Sequence, residues 1–174
     1  MINSVVESMN NIVIDTNPLI YIYHDVPDAG KDYAVLLGEL AKKNVLLIPK
    51  IVYGELSLIF EGENELNEFL SDTGIIIGEM TPGSYVIAAK RWETYNKRRE
   101  LMCAKCGKKL EQLICTNCNA RITFRQHILS DFLIGAYAFQ MKGHNLITND
   151  RGYFSTYYPE LNIITAHQEP LSLA

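Results

Sequence analysis

Four carboxylates stand in stretches too apolar to hold them by chance. Asp15 ends the run Asn11-Ile12-Val13-Ile14 and is followed by Thr16-Asn17-Pro18. Glu55 lies within Ile51-Val-Tyr-Gly-Glu-Leu-Ser-Leu-Ile-Phe60. Asp131 is the only Asp, Glu, Lys or Arg between Gln126 and Met141. Asp150 closes Leu146-Ile-Thr-Asn-Asp. Burying an isolated carboxylate costs several kcal/mol unless it is paired, protonated or metal-bound. Each acid alone has an ordinary explanation. Asp15 can be a helix-dipole partner, Glu55 can pair with a lysine, Asp131 can cap a neighbouring helix or meet Arg125, and Asp150 can open a turn with Gly152. Brought together they are a different object. Two unit charges ~5 Å apart repel by about 3 kcal/mol at an effective dielectric near ~20, so protons or cations must relieve the set. All-oxygen donors select hard ions, Mg²⁺ or Mn²⁺, over zinc. Such ions keep waters and bind phosphate oxygens, the apparatus of metal-assisted phosphodiester hydrolysis.

A second constellation is Cys103-Ala-Lys-Cys106 with Cys115-Thr-Asn-Cys118, and it holds all four cysteines of the chain. The spacing C-x2-C-x8-C-x2-C is that of a four-thiolate zinc site. The alternatives are two disulfides or free thiols, and a cytoplasmic protein disfavours disulfides. The segment has little to bury beyond Leu110, Leu113 and Ile114. Ordering costs about 1.5 kcal/mol per residue, and structural zinc returns about 10–16 kcal/mol in finger peptides. A closed four-thiolate site is structural rather than catalytic.

The elements that must position the acids follow from hydrophobic period. Ile12–Ile14 reads as a buried strand stopping at a helix start, with Thr16 or Asn17 as N-cap and Pro18 as first helical residue. Residues 31–43 carry Tyr33, Leu36, Leu37 and Leu40 at helical spacing. Strands are expected at Val45–Ile48, Ile75–Ile77, His144–Thr148 and Leu161–Thr165. Helices are expected from Lys50 to about Phe60, around Asn64–Leu70, from Pro82 to about Leu101, from Arg125 to Lys142, and over Arg151–Tyr158. Strands alternating with helices mean a parallel sheet covered on both faces. Ligands of such sheets bind beyond the carboxyl ends of the strands where strand order reverses. Asp15 and Asp150 belong there if the fourth strand lies beside the first. Glu79, after the third strand, reads as a turn residue away from that crevice.

At 174 residues with 48% hydrophobic content the chain can bury a full core. No apolar run approaches the roughly 20 residues needed to cross a bilayer. Residues 1–10 lack a basic n-region, so no secretory signal is expected and the cytoplasm is the expected compartment. The net charge of −4 hides an asymmetry: residues 90–125 hold ten Lys/Arg against three acids, a local +7, leaving −11 elsewhere. A basic block on an acidic protein suggests a polyanion partner, although a solvated helix face has the same composition. Lys97, Arg98, Arg99, Lys105, Lys108 and Lys109 are the candidates to meet it.

Val13-Ile-Asp-Thr-Asn17, Glu55, Ser130-Asp-Phe-Leu-Ile-Gly-Ala-Tyr-Ala138 and Thr148-Asn-Asp150 together resemble the PIN-domain nucleases, and among them the VapC-type toxins. The resemblance covers roughly 11–165 apart from 102–124. It implies an α/β/α fold with a parallel sheet of order 3-2-1-4-5, built from 1–101 and 125–174; the cysteine spacing adds 102–124 as an inserted zinc ribbon. It implies a Mg²⁺- or Mn²⁺-dependent ribonuclease in which Asp15, Glu55, Asp131 and Asp150 bind metal. Thr148 matches a polar helper position, and Thr16 and Asn17 are expected to orient Asp15. Hydrolysis would leave a 5′-phosphate and a 3′-hydroxyl. RNA is the implied substrate, with an antitoxin partner and a homodimer as further implications. The ribbon departs from the usual toxin, and zinc ribbons joined to PIN domains also occur in nucleases acting on large, structured RNA. A non-catalytic RNA- or protein-binding module is the alternative, and a phosphatase for small phosphoesters a weaker one. The intact acids favour catalysis, and the basic block favours a polymer.

Overall fold

A computed structural model describes residues 10–98, 103, 105–109, 117 and 128–166. Five strands form one parallel sheet: β1 Asn10–Ile14, β2 Asn44–Pro49, β3 Ile76–Gly78, β4 Asn145–Ile147 and β5 Asn162–Ile164. Seven helices are described: α1 Thr16–Tyr23, α2 Ala29–Ala41, α3 Lys50–Leu56, α4 Glu63–Asp72, α5 Pro82–Arg98, α6 Leu129–Gln140 and α7 Arg151–Tyr157. The strand order is β3-β2-β1-β4-β5, as the family resemblance implies.

The register explains why β1 is central. Val13 pairs with Leu47 on one side and Leu146 on the other. Ile12, Val13 and Ile14 are all buried. Consecutive burial in a strand whose side chains alternate means that both faces are covered. Right-handed crossovers then put α1–α4 on one face and α5–α7 on the other, because the chain reverses direction across the sheet between β3 and β4. Along the second face α5 packs on α6. Tyr95, Phe132, Tyr153 and Tyr157 make an aromatic cluster there, with ring centroids 5.3–5.6 Å apart.

Two features fix α6 against α7, and so fix the acids they carry. Arg91 of α5 forms a two-pronged ion pair with Glu160 (3.0 and 2.9 Å) and lies 4.2 Å over the Tyr158 ring. The Tyr158 hydroxyl donates to the Phe132 carbonyl. Gly135 permits this approach, since a Cβ there would stand 2.4 Å from the Tyr158 ring. Among the described residues no helix is long and apolar enough to cross a membrane.

Three boundaries differ from the sequence expectation. The first helix begins at Thr16, so Pro18 is its third residue and the cap is Asp15 itself. Proline is tolerated throughout the first turn, where its missing N–H has no helical acceptor. The helix after β2 stops at Leu56 rather than Phe60. The described part of the helix expected over 125–142 begins only at Leu129, after an extended Ile128.

Candidate functional site

The ladder that joins β1 to β4 runs one bond past the strand end: the Asp15 N–H donates to the Ile147 carbonyl, 2.9 Å. Asp15 is thereby set beside Thr148, at the point where strand order reverses. Its carboxylate is held at both oxygens. Oδ1 accepts from the Thr16 N–H, 2.8 Å, and Oδ2 from the Thr148 hydroxyl, 2.7 Å. The Thr148 oxygen in turn accepts from the Asp150 N–H, 3.0 Å. The Thr16 hydroxyl donates to Glu55. Two threonines thus tie three of the acids into one network.

The remaining geometry comes from helix caps. Asp150 is the N-cap of α7 and accepts from the Tyr153 N–H, 3.1 Å. Asp131 is the third residue of α6 and reaches back to the Ile128 N–H, 2.8 Å. Asp131 is therefore a half-buried first-turn residue, not the mid-helix carboxylate that the sequence pattern suggested. Caps favour Asp because its short side chain meets the orphan amides and its charge suits the positive end of the helix. Capping and lining a site are compatible here, since the caps aim these carboxylates at one place.

That place is a cavity of about 240 Å³, lined by Asp15, Glu55, Asp131 and Asp150. Thr16, Asn17 and Ser130 add polar atoms to the lining. Ile20, Ile128 and Phe154 supply its apolar part. Burial pushes the Asp15 carboxyl up to about 7; the bonds from Thr148 and Thr16 oppose this, and the charges of Asp131 and Glu55 add to it. Glu79 does not line the cavity and pairs with Lys50 on the surface.

The donor set suits a hard divalent cation: it is all oxygen, and its most buried member carries an ionisation penalty that a cation would remove. Among the described residues no three His, Cys, Asp or Glu side chains form a ready-made metal cage. A Mg²⁺-like ion does not need one, because it keeps several waters and takes one or two carboxylates directly. The cavity has room for those waters.

Sequence reasoning passed over Ser130 as a functional residue. It is 8% exposed, lines the cavity, and its Oγ has no hydrogen-bond partner among the described residues. A buried hydroxyl in that state costs about 1–3 kcal/mol. The one signal in the sequence is a small polar residue directly before the acid of an otherwise apolar helix.

Of the cysteine pattern, Cys103 and Cys106 are described, and they are not joined by a disulfide. The chain turns between them. Gly107 N–H donates to the Cys103 carbonyl and Cys103 N–H to the Lys108 carbonyl, both 2.8 Å, with Gly107 at φ +71°. Backbone amides of Cys106 and Lys105 point at the Cys103 sulfur and lower its pKa. Gly107 rests on α7, where a Cβ would come within 3.0 Å of the Gly152 carbonyl and the Thr156 hydroxyl. Lys105, Lys108 and Lys109 are exposed, and Lys97 pairs with Glu93 at 2.7 Å. Cys115, Cys118, Arg99 and the side chain of Arg98 lie outside the described residues.

No family model matches the chain, and no curated protein matches it. Among solved structures it resembles a chain of VapBC2 from Rickettsia felis, a complex bound to a DNA fragment from their promoter. The TM-score is 0.56 at 19% identity, over 89% of this chain and 98% of that one. The fold is PIN-like. At this identity the likeness concerns the path of the backbone, and the chemistry must be argued from the cavity.

Proposed function

We propose that this chain is a Mg²⁺- or Mn²⁺-dependent endoribonuclease, as its resemblance to PIN-domain nucleases implies. The observation that carries the reading is that four acids from four separate elements line one cavity at the switch point of the sheet. A divalent cation there would activate a water and neutralise charge on the phosphodiester. The protein's own part is positional. Thr16 and Thr148 fix the Asp15 carboxylate, Thr16 also holds Glu55, and the caps of α6 and α7 aim Asp131 and Asp150. The buried floor limits how much water reaches the Asp15 carboxyl. Asn17, exposed at the rim, is placed to meet the substrate.

The cysteines are proposed to hold a structural Zn²⁺ through Cys103, Cys106, Cys115 and Cys118. The described half supports this with backbone amides directed at a cysteine sulfur, an arrangement that favours thiolate. Exposed Lys105, Lys108 and Lys109 on the same turn are proposed to meet RNA phosphates. A small protein partner of the antitoxin kind and a homodimer remain proposals drawn from the VapC resemblance.

Asp131→Asn tests the assignment. It should abolish Mn²⁺-dependent cleavage of a mixed RNA pool while leaving the circular dichroism spectrum unchanged. Undiminished cleavage by the purified variant would remove Asp131 from the site and with it the four-acid reading.

A further inference from the structure

Among the described residues, the cavity that would receive an anionic phosphodiester is lined by four carboxylates and by no lysine or arginine. Something in its wall must donate to the substrate. The Thr16 hydroxyl is spent on Glu55 and the Thr148 hydroxyl on Asp15. Ser130 differs from both: its Oγ is buried beside the same acids and has no partner among the described residues. It is the second residue of α6, a helix of 12 residues. The first amides of a helix have no acceptor within it, and their end of the helix favours negative charge. Asp131 accepts the Ile128 N–H at one carboxylate oxygen. Rotation about χ1 between staggered positions re-aims the serine oxygen without moving the helix.

We infer that Ser130 is a substrate-contacting residue: its hydroxyl donates to a non-bridging oxygen of the phosphodiester, alongside the first-turn amides of α6. This rests on the metal-dependent nuclease reading and adds to it a buried donor beside the acids, where Asn17 offers an exposed one at the rim. It also explains why a hydroxyl sits at this position, where alanine would fill the space with no unpaired polar atom.

The test is Ser130→Ala, assayed on RNA with Mn²⁺ and on the same RNA carrying a single phosphorothioate at the cleaved linkage, as each diastereomer separately. A hydrogen bond to a charged oxygen predicts a fall in kcat/KM of about 10- to 100-fold. The melting temperature should stay level or rise, because an unpaired buried hydroxyl has been removed. One diastereomer should slow the wild type and have no added effect on the variant, since sulfur and alanine delete the same contact. If the variant cleaves every substrate like the wild type, Ser130 makes no contact, while the nuclease reading stands. A slowed variant with a lowered melting temperature and full sensitivity to both diastereomers would make Ser130 a packing residue and overturn the inference. A wild type inert toward RNA with Mn²⁺ would overturn this inference and the nuclease reading together.

Discussion

The acid cavity and the cysteine turn both collect residues of metal-binding type, and they are built in opposite ways. The acids come from positions 15, 55, 131 and 150, and the sheet brings them together. Each is held by an amide or a hydroxyl of the folded body before any ligand arrives. Cys103 and Cys106 are neighbours in sequence and need only a turn closed by two backbone bonds. Among the described residues, one tie to the body is the seat of Gly107 on α7. The lesson is that the core supplies the order of the first site, whereas the proposed zinc would have to supply that of the second. Removing a metal-binding side chain should therefore change stability in opposite directions at the two places: the metal-free acid cavity should gain and the cysteine turn should lose.

The sharpest break in that comparison is Asp15→Asn. It should abolish cleavage and also stabilise the metal-free protein. The sign follows from the raised pKa of about 7. The folded state holds the Asp15 proton more tightly than the unfolded state does. Stability from this group is complete below about pH 4 and is lost as pH rises toward about 7, by up to about 4 kcal/mol. Urea unfolding of the metal-free protein across this range should show the decline, and the Asn variant should be flatter. A matching decline in both proteins would mean that Asp15 carries no ionisation penalty.

Thr148→Val comes next in size. It deletes the hydroxyl that serves Asp15 and the Asp150 amide together. The loss should be about 1–3 kcal/mol of stability, with cleavage down about 10- to 100-fold, as for partners that orient metal ligands. Kinetics and thermal melts on one preparation check both numbers. Full activity would show that the network is ornamental.

At the other site, zinc chelation or Cys103→Ser should act locally. Amides of 105–109 and the first turn of α7 should exchange faster, while β1 and β4 stay protected. Hydrogen-exchange mass spectrometry reads this out. Equal loss of protection in the sheet would make the cysteine turn part of the core. The smallest effect is expected from reversing Lys105, Lys108 and Lys109 to Glu together. The salt dependence of RNA binding should flatten, by a slope of about 2 if each lysine meets one phosphate. Unaltered slope and affinity in a binding titration would take this turn off the RNA path.

Much of the fold was legible because it is carried by short-range pattern. Ile12–Ile14, Leu46–Ile48 and Leu146–Ile147 are apolar runs bounded by punctuation, and each became a buried strand. The parallel order followed from alternation and from the motif resemblance. The acids were legible as misfits in apolar stretches. What escaped depends on pairs distant in sequence or on the cap geometry of a single residue. No pattern in one sequence links Thr16 to Glu55 or Arg91 to Glu160. Asp15 as its own helix cap was hidden by Pro18, which invites a later start. Asp131 was read as mid-helix because nothing in the apolar run marks Ile128 as extended. Ser130 was overlooked because a serine is informative only once its missing partner is seen.

The most direct measurement is a calorimetric titration of Mn²⁺-free protein with Mn²⁺ at pH 7, in two buffers of different ionisation enthalpy. The cavity should bind saturably and release about half a proton, because a carboxyl with a pKa of about 7 is half protonated before the cation displaces the proton. Asp15→Asn should bind more weakly and release none. Absence of saturable binding, or identical affinity and proton release in the variant, would contradict a divalent-cation site built on these four acids.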